Sequence, residues 1–159
     1  VCMEIKTTRD IGRQILRHRS FSFQEFSQRY AFVDTTTFES REARLQDQKN
    51  RQNSLELEKD STLQVAWENV QEEVAASCRK AYEWATKNGI AKEQARAVLP
   101  EGLTLSTMYM NGTLRSWIHY CELRMSNGTQ KEHREIATAA WNCILKKFPS
   151  LVEVLDGNT

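Results

Sequence analysis

The sequence predicts an α+β fold in which long helices pack on a small, mainly antiparallel sheet. Two observations carry this. From residue 61 to 88 the apolar residues Leu63, Trp67, Val70, Val74, Cys78, Ala81 and Ala85 recur at steps of three and four, which makes a helical stripe. Segments that alternate in the manner of strands are short and few, and they do not alternate regularly with helices as a parallel α/β chain would. With 159 residues, the chain can bury the core of a single domain spanning 1–159.

Each element has its own signal. Residues 2–6 alternate weakly and suit a short strand. Thr7 or Thr8 can cap a helix running to about Arg17, with Asp10 favourable in its first turn. On that helix Gln14 and Arg17 share a face. Residues 18–24 read as a loop, 27–33 as a strand and 41–47 as another. The polar stretch 47–59 shows no apolar period and reads as an exposed loop. Ser61 with Gln64 forms a capping box for the long helix, and Gly89 stops it. A short helix over 91–97 must end before Pro100, and 103–110 alternates as a strand. Asn111-Gly112 turns the chain, and Thr113 can cap a helix through Arg124. Thr129 with Glu132 opens a helix to about Phe148, which Pro149 closes. There is no internal repeat.

Composition narrows the function. The 22 basic and 21 acidic residues nearly cancel, so a general nucleic-acid coat is not expected. Yet Lys6, Arg9, Arg13, Arg17, Arg19 and Arg29 face only Asp10 and Glu25 between residues 6 and 30. That local excess suits a small anionic ligand. No window is long and apolar enough to span a membrane, and nothing resembles a signal peptide. Cys2, Cys78, Cys121 and Cys143 are scattered without a CxxC pair, which argues against a zinc ribbon and for a reduced, cytoplasmic setting. His18, His119 and His133 show no metal-ligand spacing, so no metal is expected. Asn111-Gly112-Thr113 and Asn127-Gly128-Thr129 match the glycosylation sequon but read as turns into helices. Val1 is not an initiator Met and VCMEIKTT reads as the middle of a domain, so a missing N-terminal portion is expected.

Several side chains can carry chemistry. Arg17 and Arg19 cannot share one helix face, so Arg17-His18-Arg19 belongs at a helix end or in a loop, where guanidinium groups can converge on phosphate. The plainer alternative is a basic helix C-terminus facing the helix dipole. Glu25, Ser27 and Arg29 alternate and can point one way, toward a nucleotide or as a polar strand edge. Ser27 has no histidine that sequence can pair with it, so a nucleophilic triad is weak. Phe21, Phe23 and Phe26 read as core residues. Arg96 lies just before the forced helix stop. Arg115 and Arg124, nine residues apart, point roughly 180° apart on one helix. His119 shares the face of Arg115.

Together these segments resemble a known family. RHRSFSFQEFS is R-H-R, seven residues, then Ser, similar to the diagnostic motif of the flavin-dependent thymidylate synthases, the ThyX family. The likeness continues through QEFSQRY, ARAVLP (95–100), LRSWIHYCELR (114–124) and TQKEHREIA (129–137), in the family's order and spacing. The resemblance implies a homotetramer that binds FAD and dUMP where subunits meet. It implies conversion of dUMP to dTMP, with methylenetetrahydrofolate as carbon donor and NADPH as reductant through the flavin.

By the same resemblance, Gln14 and Arg17 are dUMP contacts from one subunit, and Arg17, His18 and Arg19 are the flavin-binding loop. Glu25, Phe26, Ser27, Gln28 and Arg29 form a nucleotide-binding turn, with Ser27 near the phosphate and Glu25 also near the flavin. Arg96 is a further dUMP ligand, and Thr113, Arg115 and His119 fall where the family holds FAD. Arg124 matches the catalytic arginine assigned to ionising the uracil at N3. No cysteine nucleophile is implied, and Cys121 reads as core. Thr113 stands where many members carry Asn, and Gln28 where Gly is common. A small nucleic-acid-binding module and an inactive dUMP- and FAD-binding remnant are the competing readings.

Overall fold

A computed structural model describes residues 1–58 and 61–152. The chain runs β1 (Cys2–Thr8), α1 (Arg9–Ile15), β2 (Ser22–Glu25), β3 (Arg44–Gln46), β4 (Ser54–Glu56), α2 (Thr62–Lys87), α3 (Lys92–Ala95), β5 (Leu105–Asn111), α4 (Leu114–Arg124) and α5 (Lys131–Lys147). The α+β reading holds: β1, β5 and β2 form an antiparallel sheet with β5 in the middle, and β3 and β4 form a separate hairpin.

The period of two decides which face of the sheet is buried. On β5, Ser106, Met108 and Met110 point inward while Leu105, Tyr109 and Asn111 are exposed. Ile5 lies opposite Met108, and Phe23 opposite Met110. Over this face α1, α4 and α5 lay Ile11, Ile15, Trp117, Tyr120, Cys121, Ala137, Trp141 and Ile144. Burying such side chains contributes about 1.5–3 kcal/mol each. A smaller cluster joins Tyr82 and Ala85 of α2 to Ala95 and Leu99, with Val33 and Phe38 against it.

Helix caps follow the local rules. Ser61 Oγ accepts from the Gln64 amide at 3.2 Å, and Thr113 Oγ1 accepts from the Ser116 amide at 3.1 Å. Gly89 ends α2 with φ +75°, and the Ile90 amide reaches back to the Ala85 carbonyl at 3.0 Å.

Five expectations are corrected. The segment 18–24 is not all loop, because Ser22–Glu25 pairs with Asn111–Met108. No strand forms over 27–33: the Tyr30 and Ala31 amides both donate to the Ser27 carbonyl, which curls the chain into a turn after its last bond to β5. The stretch 47–58 is not featureless, since Asp47 accepts the Lys49 and Asn50 amides and turns the chain into β4. Lys59, the end of the expected loop, lies outside the described residues. Thr129 does not cap α5: Gln130 is the N-cap residue, and Glu132 pairs with Arg44 and Gln130 instead. Finally, α1 ends at Ile15, so Arg17 lies beyond the helix and does not share a helical face with Gln14.

The long helix presents its stripe outward. Leu63, Trp67, Val70 and Val74 are 41–50% exposed, whereas Gln71, Ala75, Tyr82 and Ala85 are buried. Gln71 takes the inward place because it brackets the backbone of Arg41, accepting its amide and donating to its carbonyl, each at 2.8 Å. That satisfies a half-buried segment with no strand partner.

Candidate active site

The C-terminal end of α1, the loop after it and the last turn of α4 bring three predicted site residues together. His18 accepts a hydrogen bond from Arg124 Nε at 2.9 Å. Its ring stands edge-on to Tyr120, with centroids 4.9 Å apart. Gln14, half-buried in α1, faces His133 Nδ1 through Oε1 at 3.3 Å and donates from Nε2 to Gln130 Oε1 at 2.7 Å. Burial foremost, and then the cations Arg124 and Arg17 with His119, push His18 down to about 4. At neutral pH its imidazole is therefore an uncharged acceptor.

The loop after α1 and the start of α4 carry cations. Arg17, Arg19 and Arg115 are exposed and make no ion pair or side-chain hydrogen bond among the described residues. Thr113 caps α4, Arg115 sits in its first turn, and His119 follows a turn later, mostly exposed and 3.8 Å from Glu122. Arg124, nine residues from Arg115, turns instead toward His18. A diphosphate would find guanidinium donors here with little to compete for them.

The remaining predicted residues form a second group. Arg29 pairs with Glu93 at 3.3 Å, while Arg96 Nε donates to the Glu93 carbonyl at 3.2 Å. Ser27 Oγ accepts the Arg29 amide at 3.3 Å, Gln28 is buried, and Phe26 is 65% exposed and so not core. Glu25, Ser27 and Arg29 do not share a strand face, because the strand ends at Glu25. Glu25 is engaged internally by Arg9 at 3.0 Å and by the Ser106 hydroxyl at 2.8 Å. Among the described residues, no hydrogen bond or ion pair joins the Gln14–His18–Arg124 group to the Ser27–Arg29–Arg96 group.

Cys121 is fully buried, with Sγ donating to the Ala137 carbonyl at 3.6 Å. Burial, helped by Glu122, pushes its thiol up to about 12, which leaves no thiolate for nucleophilic attack.

The sequence assigns no site role to His133, Tyr120, Gln130, Glu132 or Arg44. His133 is fully buried, touches Tyr120 Oη at 3.1 Å, and is held neutral by burial with Arg124 and His18 adding to it, down to about 4. Its signal was present: His133, Ala137, Ala140, Trp141 and Ile144 recur at helical spacing, which puts one polar ring on an apolar stripe. The role of Arg44 had no local signal, since its partner Glu132 lies 88 residues away. Among the described residues no helix is long and apolar enough to cross a membrane, and no three His, Cys, Asp or Glu side chains could hold a metal ion.

Known proteins resemble this chain in sequence and in fold. The family Thy1, thymidylate synthase complementing protein, matches residues 1–150. A probable flavin-dependent thymidylate synthase of Paramecium bursaria Chlorella virus 1 is 51% identical over 97% of this chain and 70% of its own length. The flavin-dependent thymidylate synthase of Synechocystis sp. is 52% identical over the same shares. Among solved structures, the UMP/dUMP methylase PolB of Streptomyces cacaoi, bound with 5-Br UMP, shares the fold with a TM-score of 0.75 at 23% identity, over 91% of this chain and 67% of that one. This chain therefore belongs to the flavin-dependent thymidylate synthase family.

Proposed function

We propose that the chain converts dUMP to dTMP with FAD as cofactor, methylenetetrahydrofolate as carbon donor and NADPH as reductant. The observation that carries this reading is Arg124, a guanidinium oriented by a neutral acceptor rather than neutralised by a carboxylate. Such a cation keeps its full field for an anion developing along N3 and O4 of the uracil ring. Arginine stays protonated, so its role is to stabilise charge and not to donate a proton.

The unpaired Arg17, Arg19 and Arg115, with the Thr113-capped start of α4, fit the anionic part of FAD and would hold it; His18 and His119 flank that place. When bound, FAD supplies hydride transfer. Gln14 and Arg17 would contact the dUMP of one site. Phe26, Ser27, Gln28, Arg29 and Arg96, the second group, would contact dUMP, with Ser27 toward the phosphate and Glu25 behind them, held by Arg9.

Among the described residues no hydrogen bond or ion pair joins the two groups within one chain, and the apolar stripe of α2 is exposed. Both features support a homotetramer whose sites are completed where subunits meet, one subunit giving the Arg124 group and another the Arg29 group. The exposed Phe26, Tyr30 and Phe32 beside the second group add apolar area for such a contact.

Release of tritium from C5 of labelled dUMP, in the presence of FAD, NADPH and methylenetetrahydrofolate, tests the reading. Folate-dependent release that Arg124→Ala lowers by about 10²–10³ is the expected result. Binding of dUMP with no release under any condition would replace it with a ligand-binding role.

A further inference from the structure

Glu132 sets the direction of a hydrogen-bond chain that passes beneath the candidate site. It is the ion-pair partner of Arg44, and a carboxylate only accepts. Gln130 must therefore turn Nε2 to Glu132, 2.9 Å away, and its Oε1 to Gln14. Gln14 must then donate from Nε2 to that oxygen at 2.7 Å, which leaves its own Oε1 facing His133 Nδ1. Two acceptors cannot meet, so Nδ1 carries the proton. The other ring nitrogen, Nε2, accepts from the Tyr120 hydroxyl at 3.1 Å. Reversing any one amide would set two donors or two acceptors face to face in a half-buried site.

We propose that His133 is a positioning residue that, as its Nδ1–H tautomer, holds the Gln14 carboxamide in one orientation and thereby favours uracil over cytosine nucleotides. This rests on the reading that Gln14 contacts the nucleotide. The uracil edge presents N3–H beside O4, whereas cytosine presents N3 as acceptor beside an amino donor. A carboxamide free to flip can serve either edge, but a fixed one serves only one of them. Each amide in the chain keeps one N–H and one lone pair beyond its internal bonds, which is what base recognition needs. His133 has the burial to act this way: it is fully enclosed among Tyr120, His18, Gln14 and the helix face of α5, and burial keeps it uncharged.

The test compares dissociation constants for dUMP and dCMP on the FAD-loaded protein, in wild type, Gln14→Ala, His133→Leu and His133→Asn. His133→Leu should weaken dUMP binding about three- to tenfold, the change one neutral hydrogen bond carries, and narrow the dUMP-to-dCMP ratio. His133→Asn, whose amide nitrogen can stand where Nδ1 stands, should recover most of both. If Gln14→Ala leaves dUMP binding unchanged, the nucleotide reading of Gln14 fails and this proposal with it. If Gln14→Ala weakens binding but neither His133 variant moves the ratio, the proposal alone is overturned. Should His133→Leu not fold, Glu132→Gln replaces it, because it removes the acceptor-only anchor and should narrow the ratio by the same route. Independently, nitrogen NMR of the three ring-labelled histidines should show Nδ1–H imidazoles for both His18 and His133, of which the fully buried one vanishes in His133→Asn. A buried Nε2–H ring there would overturn the proposal without reference to nucleotide.

Discussion

Arg124 donates its Nε–H to Nε2 of His18 across 2.9 Å, joining the last turn of α4 to the loop that follows α1. Among the described residues Arg124 makes no ion pair. An imidazole held uncharged orients a guanidinium without cancelling its charge, which a carboxylate in that place would do. Arg124→Ala should therefore lower tritium release by about 10²–10³, with dUMP binding partly retained. His18→Ala leaves the cation but frees its orientation, and should lower kcat about three- to tenfold. Arg124→Lys should not rescue, since a point charge on a flexible stem cannot reproduce the planar donor. Full activity in Arg124→Ala would remove Arg124 from the mechanism.

The same burial makes stability depend on pH. His18 and His133 both sit at about 4 in the folded chain, against 6.5 for a free imidazole. Between those values the unfolded chain binds more protons than the folded one, so stability falls as pH falls. The contribution is complete above 6.5 and is lost as pH drops through about 4. The depressed carboxylates Asp34, Asp47 and Glu101 titrate only toward the acid end. A decline in melting temperature between pH 6.5 and 5 therefore belongs to the histidines, and it should flatten in His18→Asn. An equally steep decline in that variant would show that His18 does not titrate as described.

What the sequence made legible was local. Ser61, Thr113 and Gly89 act within three to five residues of themselves, so the ends of α2 and the start of α4 were readable. Ser22–Glu25 becomes a strand only because β5 lies beside it, a partner more than eighty residues on. The α2 stripe was visible as a helix but not as an exposed face, because the buried side depends on Gln71 finding the Arg41 backbone. In the site, RHR and Arg124 were readable as cations. That His18 accepts from Arg124 was not, since the two are 106 residues apart.

Cys121→Ser should keep turnover. The thiol is buried in the core and hydrogen-bonds the Ala137 carbonyl, a bond that a hydroxyl can also make. The variant should lose at most about 1–2 kcal/mol from burying a more polar group. Loss of tritium release with the fold intact would restore a cysteine mechanism.

Gly112 and Gly12 differ in what surrounds them. A Cβ on Gly112 would lie 2.5 Å from Cδ1 of the Phe21 ring, and that ring is wedged edge-on against Trp117 at 5.0 Å and Tyr120 at 5.9 Å. On Gly12 the near atom is Met108 Cε at 2.9 Å, the free end of a flexible chain. Gly112→Ala should therefore destabilise by about 1–3 kcal/mol in urea unfolding, and Gly12→Ala by less. The reverse order would mean that the Phe21 ring can move and the thioether cannot.

Val70 lies at the middle of the exposed stripe between Trp67 and Val74, 49% exposed. Within one chain, a charge there faces solvent and should change stability by no more than about 0.5 kcal/mol. If α2 packs on another copy, Val70→Asp buries an unpaired carboxylate at that contact, which is strongly unfavourable. Light scattering after size exclusion should then show a smaller assembly with unchanged helical circular dichroism. Tritium release should fall with it, because a dissociated chain separates the Arg124 group from the Arg29 group of its neighbour. An unchanged mass would place the subunit contact elsewhere on the chain. An unchanged turnover in the smaller assembly would mean that one chain brings both groups to its own substrate.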